Sequence, residues 1–311
     1  MEYRHQPVLL AEVLKHLCTT ACTTVVDCTL GGAGHAEAIL SRLPKDGRLI
    51  GIDQDVVALS EAKARTARFG QQVSFVHGNF RELDSILAGE GVRRVDGILF
   101  DLGVSSPQLD VAERGFSYRH DHKLDMRMDP DQELSAYEVV NAYPCARIAQ
   151  VLREYGEEKW AGRIAEFICR SRERAPIETT AQLAKIVKDA IPAAARRTGP
   201  HPARRTFQAL RIEVNRELES LEMGLQAAVK WLRKGGRVAV LSYHSLEDRI
   251  VKKTFNELAK GCVCPPRLPE CRCGRVPFVK VVTKRAITPG DEEIAANPRA
   301  RSAKLRVAER V

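Results

Sequence analysis

A strand-like run leads directly into a glycine-rich loop near the start of the chain, and this pairing leaves few folds open. Thr24-Val25-Val26-Asp27-Cys28 is rich in β-branched residues, and Gly31-Gly32-Ala33-Gly34-His35 follows it before a helical pattern at residues 36–43. Similar apolar runs occur at residues 49–53, 73–77 and 95–101. Apolar strands separated by helices of about 10–15 residues indicate βαβ units and a parallel sheet. We therefore predict a Rossmann-like α/β domain.

The strand rhythm stops between residues 113 and 216, where helical spacing replaces it at residues 148–155, 160–173 and 180–191. One long amphipathic helix is then predicted from Phe207 to Leu232, ended by Gly235-Gly236. Strand patterns return at residues 237–244 and 278–283. We therefore predict a discontinuous α/β domain, residues 1–113 and 217–311, with an α-helical insertion, residues 114–216, that recognises the substrate.

The positive charge of the chain is unevenly distributed. The net charge is +9, and residues 249–311 carry 15 Lys and Arg against 6 Asp and Glu. Residues 191–216 hold six arginines and one glutamate. Two basic zones favour a polyanionic partner such as nucleic acid, although an ordinary basic surface has the same composition.

The sequence also excludes some classes of protein. Hydrophobic residues make up 44% of the chain, which excludes an intrinsically disordered protein. No apolar run approaches the roughly 20 residues that a membrane helix needs, so no membrane partner is expected. No secretory signal is visible, and nine cysteines are then expected to be reduced thiols in a cytoplasmic protein. Small apolar roles are predicted for Cys18, Cys22, Cys28, Cys145 and Cys169.

The glycine-rich loop predicts a ligand that lacks phosphate. Glu37 occupies the place of the third glycine in a dinucleotide fingerprint, which argues against a pyrophosphate. Asp53 ends the second strand and can accept both hydroxyls of a ribose. Phe80, after the third strand, can pack on a purine. Together these positions predict S-adenosylmethionine; the alternative is a tight turn with Asp53 as a helix cap.

The fourth strand ends in Asp101-Leu102-Gly103-Val104-Ser105, where amino-methyltransferases usually carry Asp or Asn, two prolines and an aromatic residue. An exocyclic amine is a poor nucleophile, so the enzyme must accept hydrogen bonds from it and hold it in line with the methyl group. Asp101 and Ser105 are the predicted catalytic acceptors. Asp101 contacting the cofactor instead, and a plain turn at residues 105–107, are alternatives that the sequence leaves open.

An ordered series of motifs resembles the bacterial small-subunit ribosomal RNA cytosine N(4)-methyltransferases, the RsmH (formerly MraW) family. The matching segments are His5-Gln6-Pro7-Val8-Leu9-Leu10, the loop at 31–35, Asp101-Leu102-Gly103-Val104-Ser105-Ser106-Pro107-Gln108-Leu109-Asp110, and residues 113–117, 124–130, 206–209, 245–249 and 297–302. The resemblance implies a class I S-adenosylmethionine-dependent methyltransferase sheet with an inserted helical domain. It also implies methylation of the 4-amino group of one cytidine in the decoding region of 16S ribosomal RNA.

The resemblance further implies a set of cofactor contacts. These are Ala33, Gly34, His35, Asp53, Phe80, Asp101 and Gln108. Ala33 replaces a glycine of some relatives, and a backbone contact there is expected to survive one extra methyl group. The implied partner is 16S ribosomal RNA, within the small ribosomal subunit; whether the protein is a homodimer stays open.

Cationic residues and one histidine are predicted to contact RNA. Arg127, Arg204, Arg205 and Arg249 are placed to bind phosphates, and His244 to accept a hydrogen bond from the flipped base. For each arginine the alternative is a surface ion pair, and for His244 a structural role. Two other functions stay open: a DNA amino-methyltransferase, and a nucleic-acid or ribosome-binding module without a cofactor.

Two C-x-C pairs, Cys262/Cys264 and Cys271/Cys273, form a candidate metal site. Four thiolates can hold one zinc ion tetrahedrally, although C-x-C spacing is less usual than C-x-x-C. A reduced loop without metal is the alternative. No metal is assigned to the methyl-transfer site, because that chemistry needs none.

Overall fold

The structure is a computed structural model that describes residues 7–19, 22–105, 108, 111–197, 199, 201–265 and 272–311. The chain forms two compact units, the first made of Met1–Gly103 with Leu218–Val311 and the second of Val104–Glu217. The predicted boundaries were 113/114 and 216/217. No helix within the described ranges is both long and apolar enough to cross a membrane.

The first unit contains one seven-stranded sheet. Its strands are β1 (Thr24–Asp27), β2 (Arg48–Asp53), β3 (Val73–His77), β4 (Val95–Asp101), β5 (Leu232–Ser242), β6 (Val279–Val281) and β7 (Lys304–Arg310), in the order β3-β2-β1-β4-β5-β7-β6. The pairs from β3 through β5 are parallel, and β7 runs antiparallel to both β5 and β6. The strand order reverses direction between β1 and β4, which makes their carboxyl ends a switch point where ligands bind in such sheets. The predicted Rossmann-like α/β fold is confirmed.

The helices alternate with these strands and fill the second unit. They are α1 (Leu10–Leu17), α2 (Gly34–Leu40), α3 (Val56–Thr66), α4 (Leu83–Gly89), α5 (Ala136–Ala142), α6 (Cys145–Glu154), α7 (Ala161–Arg172), α8 (Thr180–Ala190), α9 (Arg204–Asn215), α10 (Glu217–Trp231), α11 (Ser245–Ala259) and α12 (Asp291–Ala296). Short 3-10 turns lie between several of them, including one at Phe80–Glu82.

Burial on both faces of the sheet explains why its strands read as continuous apolar runs. Val25 and Leu49 belong to the core on one face, whereas their neighbours Val26 and Ile50 belong to the core on the other. A parallel strand that is covered on both sides needs apolar residues at every position. On the same reasoning, the aspartates that end β1, β2 and β4 stand out from the apolar residues before them.

The second unit has a helical core of its own, to which α5 to α9 all contribute. Thr179 and Ser135 begin α8 and α5 with capping boxes, in which side chain and backbone satisfy each other's N–H groups. A disulfide joins Cys145, at the start of α6, to Cys169, near the end of α7. The expectation of reduced thiols is wrong for this pair, because the packing of α6 against α7 brings the two sulfurs together.

The predicted long helix from Phe207 to Leu232 is wrong in two respects. Arg216 adopts a left-handed conformation (φ 48°), which separates α9 from α10. The apolar periodicity continues across this single residue and hides the break. Gly235-Gly236 lies inside β5 rather than ending a helix. Glycine is needed at residue 236 because a side chain there would meet the carbonyl oxygen of Asp96 at 3.0 Å.

One strand, β7, was not predicted from the sequence. Residues 278–283 were predicted as the last strand, but β7 follows it and lies between β5 and β6. Its alternating burial, with Leu305 and Val307 inside, is only partly apolar and resembles a surface segment. Pairing with β5 on one side and β6 on the other, rather than propensity, makes it a strand.

Candidate active site

Three carboxylates stand at the carboxyl ends of neighbouring parallel strands. Asp27 ends β1, Asp53 ends β2 and Asp101 ends β4. Asp53 and Asp101 were predicted as site residues, whereas Asp27 was missed because it lies inside an apolar run. The signal that could have identified Asp27 is its position as the one charged residue at the end of a buried strand.

The glycine-rich loop connects β1 to α2 and is hydrogen-bonded to Asp53. Gly31 has a positive φ (48°), and its N–H donates to Asp53 Oδ2 at 2.8 Å. Ala33 precedes α2 in the left-handed region (φ 58°), a conformation that glycine adopts more readily. Gly34 has no room for a side chain, since a Cβ there would lie 2.7 Å from Pro7 Cγ. The loop is therefore fixed by Asp53 on one side and by Pro7 on the other.

Asp53 is half-buried and keeps acceptor capacity toward a ligand. Its Oδ1 accepts the Asp55 N–H at 2.9 Å and its Oδ2 accepts the Gly31 N–H. Burial raises the pKa of Asp53 to about 6, and these backbone donors oppose that rise. The carboxylate has four lone pairs, and the backbone donors, which include the Gln54 N–H, leave acceptor capacity toward a ribose.

Phe80 is held in place by packing behind it. Its ring meets Phe100 edge to face, with centroids 5.4 Å apart. A Cβ at Gly224 of α10 would lie 2.8 Å from Phe80 Cδ2, so the helix approaches the ring as closely as glycine permits. The ring is half-buried and its orientation is fixed, which suits it to pack against an adenine.

Asp101 accepts hydrogen bonds from two side chains that hold it. The Tyr243 hydroxyl donates to Asp101 Oδ1 at 2.7 Å, and His35 Nδ1 lies 3.3 Å from Asp101 Oδ2. The Asp101 N–H donates to Thr29 Oγ1 at 2.6 Å. Sequence reasoning selected the neighbour of Tyr243, His244, and missed the tyrosine itself. Burial of the hydroxyl, with the charge of Asp101, raises the pKa of Tyr243 well above 10, so it remains a donor.

His35 is buried and faces an acceptor with each ring nitrogen. Its Nε2 lies 3.0 Å from the carbonyl oxygen of Val8, and its Nδ1 faces Asp101. Both nitrogens must donate to satisfy these acceptors, which describes the charged imidazolium. Burial acts to lower the pKa of His35, but the hydrogen bond and charge of Asp101 outweigh it and leave the pKa raised. The His35 side chain thus tethers the loop to Val8 and Asp101, so only its backbone is suited to a ligand.

Asp27 completes a site that suits a cationic ligand. It is 1% exposed, and its Oδ1 accepts the Thr29 N–H at 3.1 Å. Burial raises the pKa of Asp27 to about 7; the charge of His35 and the Thr29 N–H oppose that rise, and the negative charges of Asp101 and Asp53 add to it. A ligand that carries positive charge relieves this repulsion. S-adenosylmethionine, with an ammonium and a sulfonium group, fits a site of three carboxylates next to an aromatic ring.

The stability of the protein is expected to fall as the pH rises through the raised pKa of His35. A histidine with a raised folded-state pKa stabilises the fold fully below about pH 6.5, and the contribution disappears above the folded-state pKa. The raised pKa of Asp27 likewise makes the stability of the protein fall as the pH rises from about 4 to about 7. Thermal unfolding of wild type and His35→Gln between about pH 6 and pH 9 should show a flatter pH profile for the variant. The exposed His77 supplies the control: His77→Gln should keep the wild-type slope, and equal slopes for all three proteins would contradict the assignment.

Ser105 and Gln108 lie in the second unit and contact each other. Gln108 is buried, and its Oε1 accepts the Ser105 N–H at 3.0 Å. The Ser105 hydroxyl is buried without a hydrogen-bond partner among the described residues. Their predicted roles toward the amine and the cofactor stay predictions. Ser106 and Pro107 lie outside the described residues.

Arg127 is bound to its own loop. Its Nε and Nη2 donate to both oxygens of Asp125, and its Nη1 donates to the carbonyl oxygens of Pro130 and Gln132, both at 2.9 Å. This favours the alternative of an ion pair that shapes the segment, and phosphate binding by Arg127 stays a prediction.

The other predicted RNA contacts lie on two helices or at their ends. Arg204 and Arg205 are exposed at the start of α9, where Arg205 Nη1 donates to the carbonyl oxygen of Glu157 at 3.0 Å. His244 caps α11, since its Nδ1 accepts the Glu247 N–H at 3.4 Å. Arg249 is exposed on that helix. Binding of RNA by these residues is untested by this geometry.

Comparison with known proteins identifies the family. A family model described as the MraW methylase family matches residues 2–311. Ribosomal RNA small subunit methyltransferase H of Symbiobacterium thermophilum is 54% identical over 98% of this chain and 96% of its own length. The protein of the same name from Heliobacterium modesticaldum is 53% identical over the full length of both chains. An rRNA methylase from Streptococcus thermophilus has a TM-score of 0.41 at 12% identity, covering 97% of this chain and 92% of its own. The resemblance seen in the sequence is thereby confirmed, and the chain belongs to the MraW methylase family.

Proposed function

We propose that this methyltransferase transfers a methyl group from S-adenosylmethionine to the exocyclic 4-amino group of a cytidine in the decoding region of 16S ribosomal RNA. The observation that carries the proposal is the convergence of Asp27, Asp53, Asp101 and Phe80 at adjacent strand ends. Family membership supplies the substrate class.

The first unit would hold the cofactor through four kinds of contact. Asp53 accepts the ribose hydroxyls, and Phe80 packs on the adenine. The backbone of Ala33 and Gly34, where α2 begins, lies alongside the ligand. Asp27 supplies negative charge toward the cationic end. When bound, S-adenosylmethionine supplies an electrophilic methyl group on a sulfonium.

Asp101 would act on the amine. The lone pair of a cytosine 4-amino group is delocalised into the ring, so the nitrogen becomes nucleophilic only as it turns tetrahedral. Asp101 accepts a hydrogen bond from it in that geometry, which the preorganised carboxylate favours without reorientation. Tyr243 and His35 hold the carboxylate in place. Ser105 is the proposed second acceptor, and the methylated nitrogen releases one proton to solvent.

The second unit would recognise the RNA, with the two basic zones contributing phosphate contacts. Arg127, Arg204, Arg205, Arg249 and His244 are the proposed contacts, and Gln108 the further cofactor contact. We propose the small ribosomal subunit as the setting, and the cytoplasm as the location, because the proposed substrate is ribosomal RNA. A homodimer is a further proposal, to be measured by light scattering.

The decisive experiment supplies methyl-labelled S-adenosylmethionine with free 16S ribosomal RNA, assembled small subunits and DNA in parallel. We expect label in ribosomal RNA or subunits, released on digestion as N(4)-methylated cytidine by mass spectrometry. Label in DNA alone would overturn the assignment. Failure to bind S-adenosylmethionine in calorimetry, with RNA affinity intact, would instead support a binding module.

Tyr243→Phe is expected to lower kcat about tenfold while cofactor affinity changes little. The substitution removes only the hydroxyl that orients Asp101, and one hydrogen bond to a charged group corresponds to about 1.5–3 kcal/mol. The measurement is kcat for methyl transfer alongside the dissociation constant of S-adenosylmethionine. A purely structural tyrosine would change both quantities together. Tyr137→Phe, at an exposed site on α5, is the matched control and should retain the wild-type kcat.

A further inference from the structure

Three cysteine thiols gather on the loop between α11 and β6. Cys262 and Cys264 follow α11, and Cys273 returns from the other side of the loop before β6. The three sulfur atoms all lie within 4.8 Å of one another, and the sulfurs of Cys262 and Cys273 are 3.8 Å apart. We call these three residues the cysteine cluster. All of it belongs to the first unit.

The sulfur spacing matches tetrahedral metal coordination. Zinc binds thiolate sulfur at about 2.3 Å, and a tetrahedron with that radius places its sulfurs about 3.8 Å apart. A disulfide instead requires about 2.05 Å between sulfurs. The Cys262–Cys273 separation thus has the length of a ligand pair around one ion.

Apolar burial does not account for the cluster. Cys262 and Cys273 are exposed and Cys264 is half-buried, whereas a cysteine that acts as a small apolar residue is usually buried. Cys22 and Cys28 show that ordinary behaviour, at 5% and 2% exposure. Three convergent thiols at a solvent-exposed loop therefore need another reason to meet.

Backbone N–H groups already point at the sulfurs. The Cys264 N–H donates to Cys262 Sγ at 3.4 Å, and the Val263 N–H donates to Cys273 Sγ at 3.5 Å. Such outer hydrogen bonds orient metal ligands. The C-x-C turn thus preorganises its sulfurs for a cation.

Two hydrogen bonds to backbone carbonyl oxygens of α11 close the loop at its base. Arg275 Nη2 donates to the carbonyl oxygen of Glu257 at 2.7 Å, and the Phe278 N–H donates to that of Leu258 at 2.8 Å. Lys260, Arg272 and Arg275 supply positive charge along the same segment, which offsets the negative charge of several thiolates on one ion. A metal at the cysteine cluster would join the two sides of the loop beyond these bonds.

We propose that Cys262, Cys264 and Cys273 ligate a structural zinc ion that closes the loop between α11 and β6. Each thiol releases its proton to solvent as it binds, and no electron is transferred. A tetrahedral site takes a fourth donor; Cys271 lies outside the described residues, and the proposal does not depend on it. The ion fixes the basic loop and takes no part in methyl transfer, so the site is independent of the proposed function.

Metal content of the full chain tests the proposal. The protein is purified under reducing conditions, stripped with a chelator, loaded with zinc and desalted before elemental analysis. We expect about one zinc per chain. Cobalt(II) in place of zinc should give thiolate-to-metal charge-transfer bands together with the intense visible bands of a tetrahedral ion. Cys264→Ser should weaken zinc affinity at least about tenfold, and Cys262→Ser likewise.

Cys18→Ser is the matched control, because Cys18 is another thiol of the first unit that lies outside the cluster. It should retain the zinc and the cobalt spectrum of wild type. Binding of S-adenosylmethionine by each variant shows that the first unit is folded. The proposal is overturned if reduced wild type binds no zinc, if cobalt binds without thiolate bands, or if Cys18→Ser and Cys264→Ser lose zinc equally.

Discussion

Asp101→Asn is expected to reduce kcat/KM for methyl transfer about a thousandfold, the scale seen when a preorganised electrostatic contact at a reacting group is removed. The amide keeps the shape of the carboxylate and can still accept from Tyr243, so the fold should persist. His35 can then lose its proton from Nδ1 while its Nε2–H still donates to Val8. The change therefore removes charge and acceptor strength at the amine with little structural loss.

The measurement is single-turnover methyl transfer to small subunits, alongside calorimetry with S-adenosylmethionine. Asp46→Asn, at an exposed carboxylate between α2 and β2, serves as the control and should match wild type. Near-normal turnover in Asp101→Asn would exclude Asp101 from the chemistry. A loss of cofactor affinity equal to the loss of rate would instead make it a cofactor ligand, the alternative left open by the sequence.

Asp53→Ala is expected to weaken S-adenosylmethionine binding at least about a hundredfold. Two hydrogen bonds from ribose hydroxyls to a charged acceptor would disappear, each corresponding to about 1.5–3 kcal/mol. The Gly31 N–H also loses its acceptor, so the loop beside the ligand becomes less ordered. Titration calorimetry reports the dissociation constant directly.

Asp53→Asn separates the two contributions. The amide has one acceptor oxygen, which can accept from the Gly31 N–H or from one ribose hydroxyl. It cannot replace all the contacts of the carboxylate, so an intermediate affinity is expected. Asp46→Ala is the control for loss of a carboxylate elsewhere in this unit. Wild-type affinity in Asp53→Ala would remove the ribose assignment and leave Asp53 as a support for the loop.

The strands that build the site were visible in the sequence because burial on both faces demands unbroken apolar runs. Asp53 and Asp101 stood out where two of those runs ended. Asp27 stood at the end of such a run too, but Cys28 continued the apolar pattern beyond it and masked the boundary. Its raised pKa depends on how deeply the strand end is covered, which no local pattern reveals.

Contacts between distant segments account for what the sequence did not show. Tyr243 reaches Asp101 across 142 positions of the chain, and Cys145 meets Cys169 only because α6 and α7 pack together. The turn at Arg216 depends on one backbone conformation within an otherwise regular periodicity. Each is a tertiary outcome rather than a local preference.

The position of β7 sets the order in which the nascent protein can mature. This strand is synthesised after the other six strands of the sheet, yet it separates β5 from β6, and both use it as their hydrogen-bonding neighbour. The second unit is one continuous stretch and emerges from the ribosome well before β7. Its helices can therefore fold while the sheet still exposes an open edge, and completion of the sheet waits for residues 304–310. A chain that ends before β7 should keep its helical structure but lose the strand that pairs with β5.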